Sequence, residues 1–154
     1  AQAGYEKMAT SLLVALAGAN YIHDPAGFLE FCMTASLEQY VIDNEINGMV
    51  MRAVEGIEID EESLAYEVIK GVGPGGHFAA EEHTVAHMRD QFYTPELSDR
   101  QLREKWEEEG ALTTYQRARE RVRQLLEEHK PAPLPDAVLQ EIQKVAPELR
   151  YRPK

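Results

Sequence analysis

Cysteine, tryptophan and positive charge are all scarce in this chain. Its one cysteine, Cys32, excludes an internal disulfide, so nothing calls for an oxidising compartment and a reducing cytoplasm is expected. Basic residues number 16 against 27 acidic ones, a formal charge of −11. That balance repels a phosphate backbone and leaves no basic footprint, so no nucleic-acid partner is expected. Long apolar runs are missing too. The most apolar stretch, Leu12 to Ala19, falls far short of the roughly 20 residues that span a bilayer, and no signal-peptide pattern precedes it. The expectation is a soluble chain with no membrane partner. It opens Ala1-Gln2-Ala3-Gly4 without an initiator methionine and enters a helical pattern within a few residues, as a fragment does.

What the chain does have is helical periodicity. Tyr5, Met8, Leu12, Leu13 and Leu16 recur at three and four spacing and predict a helix over 5–17. Gly18-Ala19-Asn20 breaks it. Tyr21-Ile22-His23-Asp24, aromatic and β-branched and stopped by Pro25, reads as one buried strand ending at His23 or Asp24. Phe28 to Thr34 is a second short apolar stretch, a strand or an irregular turn, with Cys32 expected to be a buried, inert thiol. Ser36 opens a long helix to about Val54, whose inner stripe runs through Leu37, Tyr40, Val41, Ile46, Met49 and Val50 with Glu45 as the exception, and Gly56 ends it.

Asp60 is placed to cap a helix over 61–70. Phe78, Val85, Met88 and Phe92 predict another up to Tyr93. Ser98 with Gln101 reads as a capping box for a helix that stops at Gly110, and Thr113 or Thr114 caps one running to His129. Pro131, Pro133 and Pro135 stiffen a linker before a last helix over 136–146, and a basic tail, 150–154, is expected to be loose. The fold class is therefore mainly α, with about seven helices and one or two short strands.

The stretch GPGGHFAAEEHTVAH, 73–87, looks most like chemistry. His83 and His87 stand one helical turn apart, the spacing by which a helix offers two imidazoles to one metal. A zinc hydrolase helix wants a glutamate directly after the first histidine, and Thr84 stands there. A di-iron bundle wants two Glu-x-x-His repeats, and the chain does not supply them. The glycines follow a helix rather than a strand and lack the phosphate-loop lysine. No metal is expected here; Gly71 or Gly73 is expected to end a helix with positive φ, and the histidines to face solvent or an interface. The better candidate is a different segment. His23 and Asp24, after Tyr21 and before Glu30, place an aromatic ring beside carboxylates, which suits an alkylammonium ligand through cation–π attraction and charge pairing.

Taken together, AQAGYEK, LAGANYIHDPAGFLE, TASLEQYVIDNEINGM, GIEIDEESLAYEVIKGVGPGGHFAAEEHTVAHMRDQFYTPEL and RARERVRQLLEEHKPAPLP resemble the carboxyl-terminal third of the trimethylamine:corrinoid methyltransferase family. The resemblance implies a (β/α)8 TIM barrel about three times this length. Residues 1–54 would be the last βα units of an incomplete barrel, 55–130 a helical extension, and 131–154 a proline-rich linker and terminal helix. Asn20 to Asp24 would be the seventh strand, Phe31 to Ala35 the eighth, and Leu37 to Val54 the closing helix.

The family moves a methyl group from an amine to the reduced cobalt of a separate corrinoid protein. The resemblance therefore implies a corrinoid (cobalamin) carried by a partner and no cofactor bound directly. It also implies that His23, Asp24, Tyr21 and Glu30 line the substrate side of the barrel mouth. In members acting on trimethylamine an amber codon encodes pyrrolysine shortly before the segment resembling Ala1 to Lys7, whereas other members use betaines; this sequence lies after that position. Two other readings are a helical interaction or assembly module, with a homo-oligomer expected, and an independent metalloprotein centred on His77, His83 and His87.

Overall fold

The structure, a computed structural model, describes residues 1–149; the tail expected to be loose lies outside the described residues. Among those described, eight helices and one two-stranded sheet follow in the order α1 (Gln2–Leu16), β1 (Phe28–Leu29), β2 (Thr34–Ala35), α2 (Leu37–Glu55), α3 (Glu61–Leu64), α4 (Tyr66–Val72), α5 (Glu82–His87), α6 (Arg103–Glu108), α7 (Thr114–Glu128) and α8 (Asp136–Val145). The mainly helical class is as the periodicity predicts. Contacts group residues 1–122 into one compact unit and the described residues from Arg123 on into a second.

In the first unit α1 packs on α2. Ser36 starts α2 because its hydroxyl accepts the Gln39 amide at 3.2 Å, satisfying a donor the first turn leaves orphaned. Gly56 stops it at φ 71, a conformation without penalty only for glycine. A glycine in the middle of a helix costs stability, and Gly48 has a reason to be there: a Cβ would lie 2.5 Å from the Tyr93 ring, which packs against α2 at that point. The buried apolar residues described are few, Val50, Leu97 and Ala118. Large side chains on α1, Tyr5, Leu13 and Leu16 among them, are exposed. The second unit holds the end of α7 and then α8, which spans the residues expected.

Several expectations need correction. Tyr21 to Asp24 is not a buried strand: the segment is irregular and Tyr21 is 78% exposed. An apolar run forms a strand only where another strand offers hydrogen bonds, and here none does. Phe31 to Ala35 is not a parallel strand either. Phe28 pairs with Ala35 and Leu29 with Thr34 in a two-residue antiparallel ladder, and Cys32 is exposed on its connecting loop. The helix expected over 61–70 is two, α3 and α4, broken where Ala65 takes a left-handed conformation at φ 46. Only 82–87 of the helix expected up to Tyr93 forms, and its apolar residues Val85, Met88 and Phe92 are exposed. Ser98 does not cap α6, which begins at Arg103 behind Leu102 without a side-chain cap.

Candidate functional site

The segment between α1 and α2, residues 17–36, carries all four candidate side chains. Gly18 ends the α1 exit at φ 90, and the chain then runs exposed through Tyr21 and His23. His23 Nδ1 stands 2.9 Å from Asp24 Oδ2, so the carboxylate fixes the imidazole tautomer that carries its proton on Nδ1. The Tyr21 and His23 rings lie 6.1 Å apart, tilted by 57°. Tyr21, His23 and Asp24 are thus gathered in one place. Glu30 stands apart from them, on the hairpin loop, where its carboxylate accepts the Thr34 hydroxyl at 2.8 Å.

That loop is unusual. Glu30, Phe31 and Cys32 all have positive φ, at 52, 53 and 65, a left-handed run of three residues none of which is glycine. It closes through the Met33 amide on the Glu30 carbonyl and holds Phe31 wholly in solvent, 102% exposed, beside an exposed Met33. Rings and carboxylates exposed on one segment form the kind of surface that takes up an alkylammonium group.

Beneath this segment lies a feature the periodicity did not single out. Asp43 on α2 is 0% exposed. Its Oδ2 accepts the Gly27 amide at 2.8 Å and the Lys7 ammonium at 2.5 Å, and its Oδ1 accepts Gln39 Nε2 at 2.6 Å. A buried carboxylate stays charged only where a counter-charge and hydrogen bonds replace its water, and all are present. The signal available in sequence was an aspartate directly after Val41 and Ile42, seven residues after the cap.

Glu45, two residues on, is 6% exposed and faces the other way. It accepts the amides of Glu96, Leu97 and Ser98 at 2.7, 2.6 and 3.0 Å, and the Ser98 hydroxyl at 2.6 Å. Burial pushes its carboxyl up, but the Ser98 hydroxyl and the three amides together hold it below the ordinary carboxylate value. Ser98, expected to cap α6, is spent here. Tyr93, alongside, has its phenol raised by burial and then by the charges of Glu45 and Glu96.

The histidines of α5 pack against α3. His83 Nε2 donates to the Glu62 carbonyl at 2.9 Å, His87 Nε2 donates to the Glu62 carboxylate at 3.1 Å, and the two rings lie 4.5 Å apart. Asp60 caps α3 as expected, in a reciprocal box with Ser63, and Gly73 ends α4 at φ 65. Among the described residues no three His, Cys, Asp or Glu side chains converge as a metal site.

This sequence is similar to known enzymes across nearly its whole length. The model of the trimethylamine methyltransferase (MTTB) family matches residues 1–147. A glycine betaine methyltransferase of Desulfitobacterium hafniense (strain Y51) is 42% identical over 134 residues, covering 87% of this chain and 28% of the relative. The trimethylamine methyltransferase MttB of D. hafniense (strain DSM 10664 / DCB-2) is 43% identical over 148 residues, covering 96% and 29%. The protein of that name from Methanosarcina thermophila is 43% identical over 142 residues, covering 92% and 29%. The chain spans less than a third of the length of these relatives. On this match the chain belongs to the trimethylamine methyltransferase (MTTB) family.

Proposed function

We propose that this chain is the C-terminal portion of a corrinoid-dependent methyltransferase that takes a methyl group from trimethylamine or a methylated quaternary amine. The parent, on this reading, is a (β/α)8 barrel, and these residues are its helical end. The carrying observation is the exposed group Tyr21, His23 and Asp24 in a chain whose family match runs from residue 1 to 147. Ring and carboxylate hold a methylammonium by cation–π attraction and charge. His23, fixed by Asp24, orients the nitrogen that leaves with the electron pair of its broken bond to the methyl carbon. Glu30 lends a second negative charge from the hairpin.

The corrinoid supplies the nucleophile and arrives on a separate protein. On this reading the work of this chain is binding and orientation. Methyl transfer by the full-length protein, followed through the absorbance of its corrinoid partner with trimethylamine and glycine betaine in turn, tests the reading. His23→Ala is expected to lower kcat/KM about 100-fold, the scale of a misplaced substrate. A full-length protein that demethylates neither amine overturns it.

The exposed apolar residues of α1 favour a second reading, an assembly module that joins copies of the protein. Light scattering decides. Self-association of the full-length protein, abolished by Leu13→Asp, supports it; a monomeric full-length protein means that α1 is covered by the rest of its own chain.

A further inference from the structure

We infer that Asp43 is the positioning residue of the candidate site: by holding the Gly27 amide it sets where His23, Asp24 and Glu30 stand. The kinetic part of this inference rests on the methyl-transfer reading; the geometric part does not. Gly27 is gripped from three directions by one face of α2. Its carbonyl accepts the Ser36 amide at 3.0 Å, its amide donates to Asp43 at 2.8 Å, and the Tyr40 ring fills the place of a side chain, 2.2 Å from where a Cβ would be. Ser36, Tyr40 and Asp43 are spaced four and three apart, the spacing that puts them on one helical face.

Two short arms leave this clamp. On one side Ala26 and Pro25, whose ring fixes φ, lead to Asp24 and His23. On the other side β1 begins at Phe28, and Glu30 follows it directly. Both arms are short: His23 is four residues from Gly27 and Glu30 is three. Phe28 is itself held edge-on against Tyr40, with the rings 6.2 Å apart. Lys7 supplies the charge that lets a carboxylate sit at 0% exposure, and through it α1 is tied to the same point.

Charge and acceptor are separable. In the double variant Asp43→Asn with Lys7→Met both charges go, but the Asn oxygen still accepts the Gly27 amide, and Gln39 turns its own oxygen to the new amide group. In Asp43→Leu with Lys7→Met the acceptor goes as well. Positioning by the acceptor predicts that, in the full-length methyltransferase, the Leu double variant raises KM for the amine and loses about 100-fold in kcat/KM. The Asn double variant recovers most of that loss. Gln39→Leu, which removes a donor to Asp43 without touching the loop, leaves KM as it was.

Hydrogen exchange gives the readout that does not depend on catalysis. The Gly27 amide of the unaltered protein exchanges as slowly as the α2 amides, the Asn double variant keeps that protection, and the Leu double variant loses it. If the Leu double variant does not fold, Asp43→Ser with Lys7→Met, whose hydroxyl is too short to reach the amide, takes its place. A Gly27 amide that exchanges as fast as Tyr21 in the unaltered protein overturns the clamp. Equal KM in the two double variants, or a lost clamp with unchanged KM, overturns the positioning. A wild-type protein that shows Gly27 protection but no methyl transfer fails the methyl-transfer reading and leaves the clamp standing.

Discussion

Two carboxylates on one helix, two residues apart, are buried by opposite means. Asp43 is met by a cation, Lys7, and Glu45 by neutral donors, three backbone amides and a hydroxyl. The Asp43 arrangement joins three separate pieces of chain: α1, the 17–36 segment and α2. The Glu45 arrangement folds one segment, 96–98, onto α2. A cation brought from another helix makes a bond that depends on both helices staying in register. Amides arranged around a carboxylate make one that depends only on the loop that carries them. The helix α2 therefore carries one carboxylate that ties α1 and the 17–36 segment to it and one that ties a single loop to it, and the candidate site hangs from the first.

The sharpest break in this comparison is Lys7→Met. It leaves Asp43 buried without a counter-charge, and a loss of about 3–5 kcal/mol is expected in denaturant unfolding. Glu45→Gln comes next. The carboxamide offers one acceptor where four donors converge, which costs about 2–3 kcal/mol at neutral pH. The Glu45 carboxyl is held below its ordinary value of 4.5 in the folded chain, so its contribution is full above that value and fades as pH falls through the lower folded one. The gap between wild type and Glu45→Gln should narrow as unfolding is measured at successively lower pH below 4.5, and a gap that widens would contradict the arrangement.

Gly48→Ala puts a methyl group against Tyr93, three residues along α2 from Glu45. Overpacking outweighs the gain in helix propensity, and a net loss of about 1 kcal/mol is expected by thermal unfolding. Arg103→Ala gives the baseline. It breaks an exposed pair with Glu107 at 2.7 Å, where solvent serves either charge, and stability should change by only a few tenths of a kcal/mol.

Elements whose causes are local were readable from sequence. The Ser36 cap, the Gly56 and Gly73 stops, the Asp60 cap and the Thr113 hydroxyl that accepts the Gln116 amide all rest on residues within four positions of each other. The Tyr21 to Asp24 strand was misread because a strand needs a partner, and β propensity speaks only of one side of that bargain. Ser98 was misread because its amide and hydroxyl both donate to Glu45, 53 residues away, while Asp99 accepts the Gln101 amide in its place. Tyr21, His23 and Asp24 stand together in the chain by mere adjacency. Adjacency could not reveal Asp43, whose meaning lies in Lys7, 36 residues earlier, and Gly27, 16 residues earlier. The Glu45 exception in the apolar stripe was visible, but the loop that answers it was not.

The bend at Glu30, Phe31 and Cys32 carries a tax. Each of these residues sits where a side chain crowds its own backbone, at about 1 kcal/mol apiece, and a glycine at any of the three would relieve it. A chain selected for endurance alone would bend there on glycine. This hairpin bends instead on residues that carry a carboxylate, a ring and a thiol, so a glycine at any one of them would make a sturdier molecule that lacks that side chain at the tip.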